Sequence, residues 1–141
     1  MSSVRIQVIN PNTSLAMTET IGAAARVVAA PGTEILAVCP RAGVPSIEGH
    51  FDEAIAAVGV LEQIRAGREQ GVDGHVIACF GDPGLLAARE LAQGPVIDGV
   101  SAAVKMVESL VALGLATSKH GDLAFPEKKA LSGQFQSLNP F

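Results

Sequence analysis

The stretch that most constrains the fold runs from Val76 to Gly84. An apolar segment ends there in Cys79, and a short Gly/Asp loop then leads to Pro83. Continuous apolar runs are typical of buried parallel strands, and open α/β sheets bind ligands at the carboxyl ends of such strands. We therefore expect Cys79 at the tip of a strand, followed by a helix with Asp82 as its N-cap and Pro83 in its first position.

This position allows two interpretations of Cys79. A thiol at the tip of a strand and near the positive end of a helix dipole is readily available as a thiolate. Alternatively, Cys79 is a small buried apolar side chain, since free cysteine is among the most buried residue types. The stretch by itself leaves both interpretations open.

Strand-like and helix-like segments alternate along the rest of the chain. This alternation predicts an α/β fold, a single flavodoxin-like lobe whose four-stranded parallel sheet has the order 2-1-3-4 with helices on both faces. The lobe is expected to span residues 1–114, followed by a tail over 115–141 that drapes over the domain or is disordered. The predicted strands are 4–9, 33–38, 75–79 and 94–98, and the predicted helices are 15–29, 51–69, 83–92 and 99–114.

Helical spacing predicts which apolar side chains face the core. The last helix has the clearest apolar stripe, from Val100 to Val111, and Gly114 is its natural C-cap. The predicted inward residues of the two earlier long helices are Ile21, Ala25 and Val28, and Phe51, Ile55, Val58 and Leu61.

Composition argues against several classes of function. The chain has five Phe and neither Trp nor Tyr, so it lacks the aromatic side chains that sandwich a flavin. A net charge of −4 without a basic cluster argues against nucleic acid, and no apolar run reaches the length of a membrane span. Two cysteines do not make a disulfide framework, which favours a cytoplasmic protein, and no His or Cys pair has metal-ligand spacing.

Polar residues cluster in two further loops. The segment Asn10–Ser14 precedes a helix, where its backbone N–H groups would hold a carboxylate or carbonyl oxygen, or where Asn12 or Ser14 simply caps the helix. It is not a P-loop, because the Gly-rich spacing and the Lys are missing. Ser46 and Glu48 precede the second helix and either cap it or close over a ligand. In the predicted strand order, Asn10–Ser14 shares one crevice with the loop after Cys79.

Five motifs together resemble the hydantoin racemase branch of the aspartate/glutamate racemase superfamily. They follow one another in the family's order and cover nearly the whole chain. Members of this family have two similar α/β lobes, each of which supplies one cysteine to the cleft between them. The Gly-Cys-Ala-Gly-like segment of the second lobe is missing here, so the sequence resembles the first lobe joined to the family's final strand, helix and tail, as an engineered or natural short form. The motifs are Ile9–Ser14, Ser46–Gly49 with Asp52–Ala54, Cys79–Gly84, Pro95–Gly99 and Thr117–Asp122.

The resemblance implies proton exchange, without a cofactor or a metal, at a carbon next to a carbonyl in a small molecule such as a 5-substituted hydantoin. Cys79 matches the first-lobe cysteine that acts as acid and base. The positions that match the family's substrate-binding residues are Asn12, Thr13, Ser46, Phe80, Gly81 and Asp82.

A single lobe supplies a cysteine to only one face of a substrate. Several functions are therefore still open. The chain is a folded relic with no useful turnover, or it forms a homodimer that brings two Cys79 residues across one twofold cleft. A third function needs only one cysteine, as in relatives resembling arylmalonate decarboxylase. A non-catalytic flavodoxin-like binding module is the alternative from a different class.

Overall fold

The computed structural model describes residues 4–121 and residue 124, except for the side chains of Val100 and Ser101. The chain forms two compact units, residues 1–106 and residues 107–141. The elements of the described residues are, in chain order, β1 (Val4–Ile9), α1 (Leu15–Val28), β2 (Thr33–Val38), α2 (His50–Glu69), β3 (Gly74–Ile77), α3 (Leu85–Leu91), β4 (Val96–Ile97) and α4 (Gly99–Ala112).

The four strands form one parallel sheet in the order β2-β1-β3-β4, which confirms the predicted topology. The central strand β1 pairs on both sides, so that Ile9 lies opposite Val38 and opposite Ile77. Helix α1 packs on β1 and β2, and α2 and α3 pack against each other on the opposite face. The carboxyl half of β1 is buried on both faces, since Gln7, Val8 and Ile9 are all buried, although its sequence alternates apolar and polar residues up to Val8.

The core lies between the sheet and the pair α2 and α3. Burying an Ile or Val side chain stabilises the fold by about 1.5–3 kcal/mol relative to leaving it in water. Cys79 is partly buried against the edge of this core. The core residues are Ile9, Val60, Ile64, Ile77, Ala88 and Val96.

The predicted inward faces of the helices were wrong in part. Val28 is 84% exposed, Phe51 is 76% exposed and Val58 is 58% exposed. The apolar stripe of α4 is exposed as well, with Val104 at 51%, Val107 at 59% and Val111 at 72%.

The buried face of α2 instead combines Val60 and Ile64 with the small residues Ala56, Gly59 and Gly67, and Gly59 shows why small residues are needed. A Cβ on Gly59 would lie 2.5 Å from Pro40 Cγ, so the close approach of α2 to the chain after β2 requires a glycine there. Apolar periodicity does not detect such a contact.

The start of α3 also differs from the prediction. The helix begins at Leu85, and its N-cap is Gly84 in the left-handed conformation, with φ of +73°. Asp82 is therefore not the N-cap and Pro83 is not the first helical residue. Asp82 itself has φ of +47°, and its carbonyl oxygen accepts a hydrogen bond from Leu85 N at 3.1 Å. This turn delays the helix, because a residue at positive φ cannot continue an α-helix.

Helix α4 ends close to its predicted boundary. Gly114 has φ of +66°, and the N–H groups of Gly114 and Leu115 donate to the carbonyl oxygens of Val111 and Leu110. This pair of hydrogen bonds is a Schellman motif, for which glycine is preferred. Residues 115–121 that follow are irregular, and most of the predicted tail lies outside the described residues. Within the part of the chain that the structure describes, no helix is both long and apolar enough to cross a bilayer.

A buried polar network crosses the core at the start of β3. His75 is 2% exposed, and its Nδ1 lies 2.8 Å from Gln7 Oε1. Gln7 Nε2 donates to the carbonyl oxygen of Gln63 in α2, so Gln7 Oε1 is the acceptor and His75 Nδ1 carries the proton. Burial lowers the pKa of His75 from its ordinary value of 6.5.

We expect the free energy of unfolding to fall as the pH drops below 6.5. The unfolded chain then binds a proton at His75 that the folded chain takes up only at lower pH, so the loss is at most about 1.4 kcal/mol per pH unit. Urea unfolding of the wild type and of His75→Gln across this range measures the difference. His50→Gln is the control because the His50 side chain is fully exposed. An equal slope in wild type and His75→Gln would contradict the assignment.

Candidate functional site

Cys79 lies at the carboxyl edge of the sheet, two residues after β3 ends, and is half-buried. It lines two adjoining cavities. The first, of about 270 Å³, is apolar and is bounded by Val76–Phe80 and Gly99. The second, of about 360 Å³, has a mixed lining with charged side chains and is named the polar cavity here; its lining residues are Ile47, Glu48, Gly49, His50, Glu53, Cys79 and Gly81. The thiol therefore separates an apolar space from a polar one.

The loop after β3 holds Cys79 by its backbone. Ala78 N donates to Ile9 O at 2.8 Å, which extends the pairing with β1, and Asp82 N donates to Cys79 O at 3.1 Å, which closes a turn. The N–H groups of Phe80 and Gly81, inside this turn, have no acceptor in the part of the chain that the structure describes. Two backbone donors beside a thiol are suited to stabilise a developing oxyanion.

Gly81 lines the polar cavity close to both the thiol and Glu53. A Cβ on Gly81 would lie 3.0 Å from Glu53 Oε1 and 3.7 Å from Cys79 Sγ. The carboxylate and the thiol thus approach the same point from α2 and from the loop after β3. Only a glycine leaves that point open.

Glu53 and His50 were not predicted as site residues. They lie three residues apart in the first turn of α2, with His50 Nδ1 3.2 Å from Glu53 Oε2. The sequence signal that points to them is the motif Asp52–Ala54, which directly follows the loop of Ser46. Glu53 and His50 lie near Cys79 because α2 packs beside β3. No local sequence pattern indicates this packing.

Ser46 and Glu48 form a small hydrogen-bonded unit at the entrance of α2. Ser46 Oγ donates to Glu48 Oε1 at 2.6 Å, and Glu48 N donates to Asp52 Oδ2 at 2.9 Å. The N-cap of the helix is Gly49, which has no side chain for capping. Glu48 lines the polar cavity, and Ser46 contacts the site through Glu48.

Asn12 and Thr13 are held inside the loop that follows β1. The N–H groups of Asn12, Thr13 and Ser14 donate to Asn10 Oδ1, Val44 O and Asn12 Oδ1, respectively. These backbone groups therefore fix the loop, and Ser14 caps α1 by accepting from Met17 N. Thr13 joins the loops after β1 and β2, because its N–H and its hydroxyl both donate to Val44 O.

Asn10 is the centre of this loop. It is 1% exposed, and its Nδ2 lies 2.8 Å from Asn12 Oδ1, 3.2 Å from Ser14 O and 3.0 Å from Thr18 Oγ1. A buried amide with several hydrogen-bond partners stabilises one loop conformation. In any other conformation these buried polar groups would be left without a hydrogen bond.

Asn10→Ala is expected to lower the free energy of unfolding by about 2 kcal/mol, because it leaves a cavity and removes a donor shared by three oxygens. Urea unfolding followed by circular dichroism measures the loss. Thr20→Ala is the matched control, since the Thr20 hydroxyl donates only to Ala16 O on the exposed face of α1. A loss no larger than that of Thr20→Ala would show that Asn10 does not hold the loop.

Phe80 and Asp82 lie on either side of Gly81 and differ in exposure. Phe80 is 78% exposed, and its ring contacts Gly99. Asp82 is half-buried, and its Oδ1 has no hydrogen-bond partner among the described residues. Burial raises the pKa of Asp82, the negative charge of Asp98 raises it further, and Arg89 opposes both effects. The carboxyl of Asp82 is thus held toward its protonated form.

The polar cavity is acidic. Its lining includes the carboxylates of Glu48 and Glu53 and the imidazole of His50, whereas neither Lys nor Arg is among the described residues that line it. In the same described part of the chain, no group of three or more His, Cys, Asp or Glu side chains is arranged to hold a metal ion.

Comparison with known proteins relates the whole lobe to one family. The sequence profile described as Asp/Glu/hydantoin racemase matches residues 6–122. A hydantoin racemase of Pseudomonas sp. (strain NS671) is 49% identical over 109 residues, which are 77% of this chain and 44% of that protein. A hydantoin racemase of Paenarthrobacter aurescens is 51% identical over 104 residues, 73% of this chain and 44% of that protein. This chain therefore spans less than half the length of these curated relatives.

A solved structure gives the same relationship. The structure described as allantoin racemase from Klebsiella pneumoniae is 56% identical to this chain, with a TM-score of 0.69. The match covers 99% of this chain and 100% of that one. The α/β fold with its four-stranded parallel sheet is thus shared with a solved relative.

Proposed function

Because this chain belongs to the Asp/Glu/hydantoin racemase family, we propose that Cys79 is the acid and base for proton exchange at the ring carbon of a hydantoin or allantoin. One observation carries the proposal. The Cys79 thiol faces a polar cavity beside the N–H groups of Phe80 and Gly81, which have no acceptor in the described part of the chain. A thiol and two adjacent donors are the groups that removal of a proton next to a carbonyl requires.

The chemistry follows from the ring. Carbon 5 of a hydantoin lies between a ring nitrogen and a carbonyl, so its proton is acidic. The Cys79 thiolate takes this proton, and the electron pair of the C–H bond moves to the carbonyl oxygen. The N–H groups of Phe80 and Gly81 stabilise the resulting oxyanion, and return of the proton restores the ring. No electrons leave the substrate, so the step needs no redox cofactor.

The remaining predicted site residues support this step from a distance. Asn12 and Thr13 fix the loops after β1 and β2, and Ser46 orients Glu48 at the cavity. Asp82 shapes the turn that holds Cys79, because its N–H donates to Cys79 O and its φ is positive.

Inversion of the ring carbon requires a second acid on the opposite face of the ring. We propose that a second copy of the chain supplies it through its own Cys79. Three large apolar side chains at the same edge of the sheet favour such a pairing, since Phe51 is 76%, Phe80 is 78% and Leu86 is 74% exposed. Exposed apolar groups concentrated around a site favour association, and symmetric dimers are the commonest assemblies.

The single-cysteine decarboxylase has less support. Its substrate is a malonate with two negative charges, and the polar cavity presents the carboxylates of Glu48 and Glu53. Like charges at close distance oppose binding. The acidic lining therefore favours a neutral ring over a dicarboxylate.

The test combines light scattering with a racemisation assay in D₂O on single enantiomers of allantoin and of 5-methylhydantoin. A dimer that inverts the ring and incorporates deuterium above the spontaneous rate supports the full proposal. A monomer that exchanges the ring hydrogen for deuterium but retains configuration supports the role of Cys79 and contradicts the pairing. A chain that neither exchanges nor inverts either ring contradicts the proposed function.

A further inference from the structure

Hydrogen-bond donors and an acceptor both lie close to Cys79. The donors are the N–H groups of Phe80 and Gly81, which directly follow it, and the acceptor is the carboxylate of Glu53, which reaches the same loop from α2. Glu53 Oε1 and Cys79 Sγ are both within 4 Å of the point that a Gly81 Cβ would occupy. A carboxylate acceptor, a thiol and two backbone donors thus lie around one opening.

His50 orients the carboxylate. Its Nδ1 lies 3.2 Å from Glu53 Oε2, which leaves Oε1 as the oxygen that faces Gly81. Glu53 is in the first turn of a 20-residue helix, α2, whose buried side packs against the core. A side chain held by a neighbour on a rigid element accepts hydrogen bonds with little loss of conformational entropy.

The ring of the proposed substrates carries the complementary groups. In a hydantoin the reacting carbon has an N–H donor on one side and a carbonyl acceptor on the other. When the carbonyl accepts from Phe80 and Gly81, the carboxylate of Glu53 is the acceptor in the same cavity that the ring N–H can use. A free amino acid fits poorly, because its carboxylate would meet Glu48 and Glu53 in a cavity without a described Lys or Arg.

We propose that Glu53 is a specificity-determining residue whose Oε1 accepts the N–H next to the reacting carbon, so that the site takes a neutral N–H-bearing ring and rejects a free amino acid. The inference rests on the proposed function, since it assumes that the ring binds beside Cys79. His50 is a positioning residue for Glu53. Neither residue was predicted to have this role.

The test is protection of Cys79 from iodoacetamide by 5-methylhydantoin, with labelling at Cys79 and Cys39 resolved by peptide mass spectrometry. Each variant is compared with its own unliganded rate, so the titration gives an apparent Kd that does not depend on intrinsic thiol reactivity. Glu53→Ala is expected to raise this Kd by about tenfold or more, because a hydrogen bond to a charged acceptor is lost. Glu53→Gln retains an oxygen acceptor and is expected to lose less.

Glu62→Ala is the matched control, since Glu62 is an exposed carboxylate on the same helix. It is expected to leave the Kd unchanged, and L-glutamate is expected to protect Cys79 in none of the proteins. If Glu53→Ala, Glu53→Gln and Glu62→Ala all bind the ring as the wild type does, the role of Glu53 is wrong while the proposed site stands. If the ring fails to protect Cys79 even in the wild type, the proposed function fails, and the role of Glu53 with it.

Discussion

Gly94→Ala is expected to lower the free energy of unfolding by about 3 kcal/mol, a large share of the stability of an ordinary domain. A Cβ on Gly94 would lie 2.1 Å from Asp73 O and 2.9 Å from Asp73 C. Both are backbone atoms, so relief of the clash requires the chain itself to move. Urea unfolding followed by circular dichroism measures the loss.

The surroundings of Asp73 explain why the chain resists this movement. Asp73 N donates to Arg5 O at 2.8 Å, and Asp73 Oδ2 accepts from Arg5 N at 2.7 Å. On the other side of the clash, His75 N donates to Pro95 O at 2.9 Å. A shift at Gly94 therefore strains the start of β3 together with its pairing to β1 and β4.

Gly49→Ala is the matched control. A Cβ on Gly49 meets no atom within 4 Å, and the φ of Gly49 is −159°, which any residue adopts. Its change in unfolding free energy is expected to stay within about 0.5 kcal/mol, as for most surface substitutions. Similar losses in both variants would show that the close approach of Gly94 to Asp73 does not stabilise the fold.

The sheet was predictable because its signals are local. β1 and β2 have the predicted bounds, since a turn-forming residue follows each of them, Asn10 directly after β1 and Pro40 two residues after β2. Alternation with helices then restricts the order of the strands, because parallel crossovers have one hand. The third strand was predicted to run from residue 75 to Cys79, whereas β3 ends at Ile77 and Cys79 lies in the loop that follows.

The helix faces were not predictable in the same way. Periodicity counts apolar side chains, and it selected Phe51 and Val58 for the buried face of α2. The actual interface depends on residues such as Gly59 and Gly67, which allow close approach of neighbouring atoms because they lack a Cβ. A Cβ on Gly67 would lie 2.6 Å from Gln7 Oε1, so the buried network of Gln7 and His75 requires that glycine.

The candidate site was predictable in part. The motif around Cys79 pointed to a thiol at the edge of the sheet, and the structure places it between two cavities there. The loop of Asn12 was predicted either to provide backbone donors or to cap a helix, and its N–H groups are used by Asn10, Asn12 and Val44 while Ser14 caps α1. Glu53 approaches Cys79 only because α2 packs beside β3, and a contact between residues so far apart in sequence has no local signal.

Cys79→Ser is expected to lower the rate of deuterium exchange at the ring carbon by about 10³-fold, the range that a positioned acid and base contributes. A serine hydroxyl fills nearly the same volume, but it is a far weaker acid than a thiol and supplies no comparable base. The measurement is exchange of 5-methylhydantoin in D₂O, corrected for the spontaneous rate. A folded variant with its rate unchanged would exclude Cys79 as the proton carrier.

Cys39→Ser is the control that separates chemistry from packing. Cys39 also follows a strand and is half-buried, but it directly precedes Pro40, which packs on Gly59 of α2. Its loss is expected to leave the exchange rate within about twofold of wild type, because general acid and base catalysis requires contact with the reacting proton. If both serine variants lower the exchange rate equally while remaining folded, the loss results from a general disturbance at the carboxyl edge of the sheet and does not identify Cys79 as the proton carrier. A loss confined to Cys79→Ser assigns the proton transfer to the thiol that lies beside the donors of Phe80 and Gly81 and the carboxylate of Glu53.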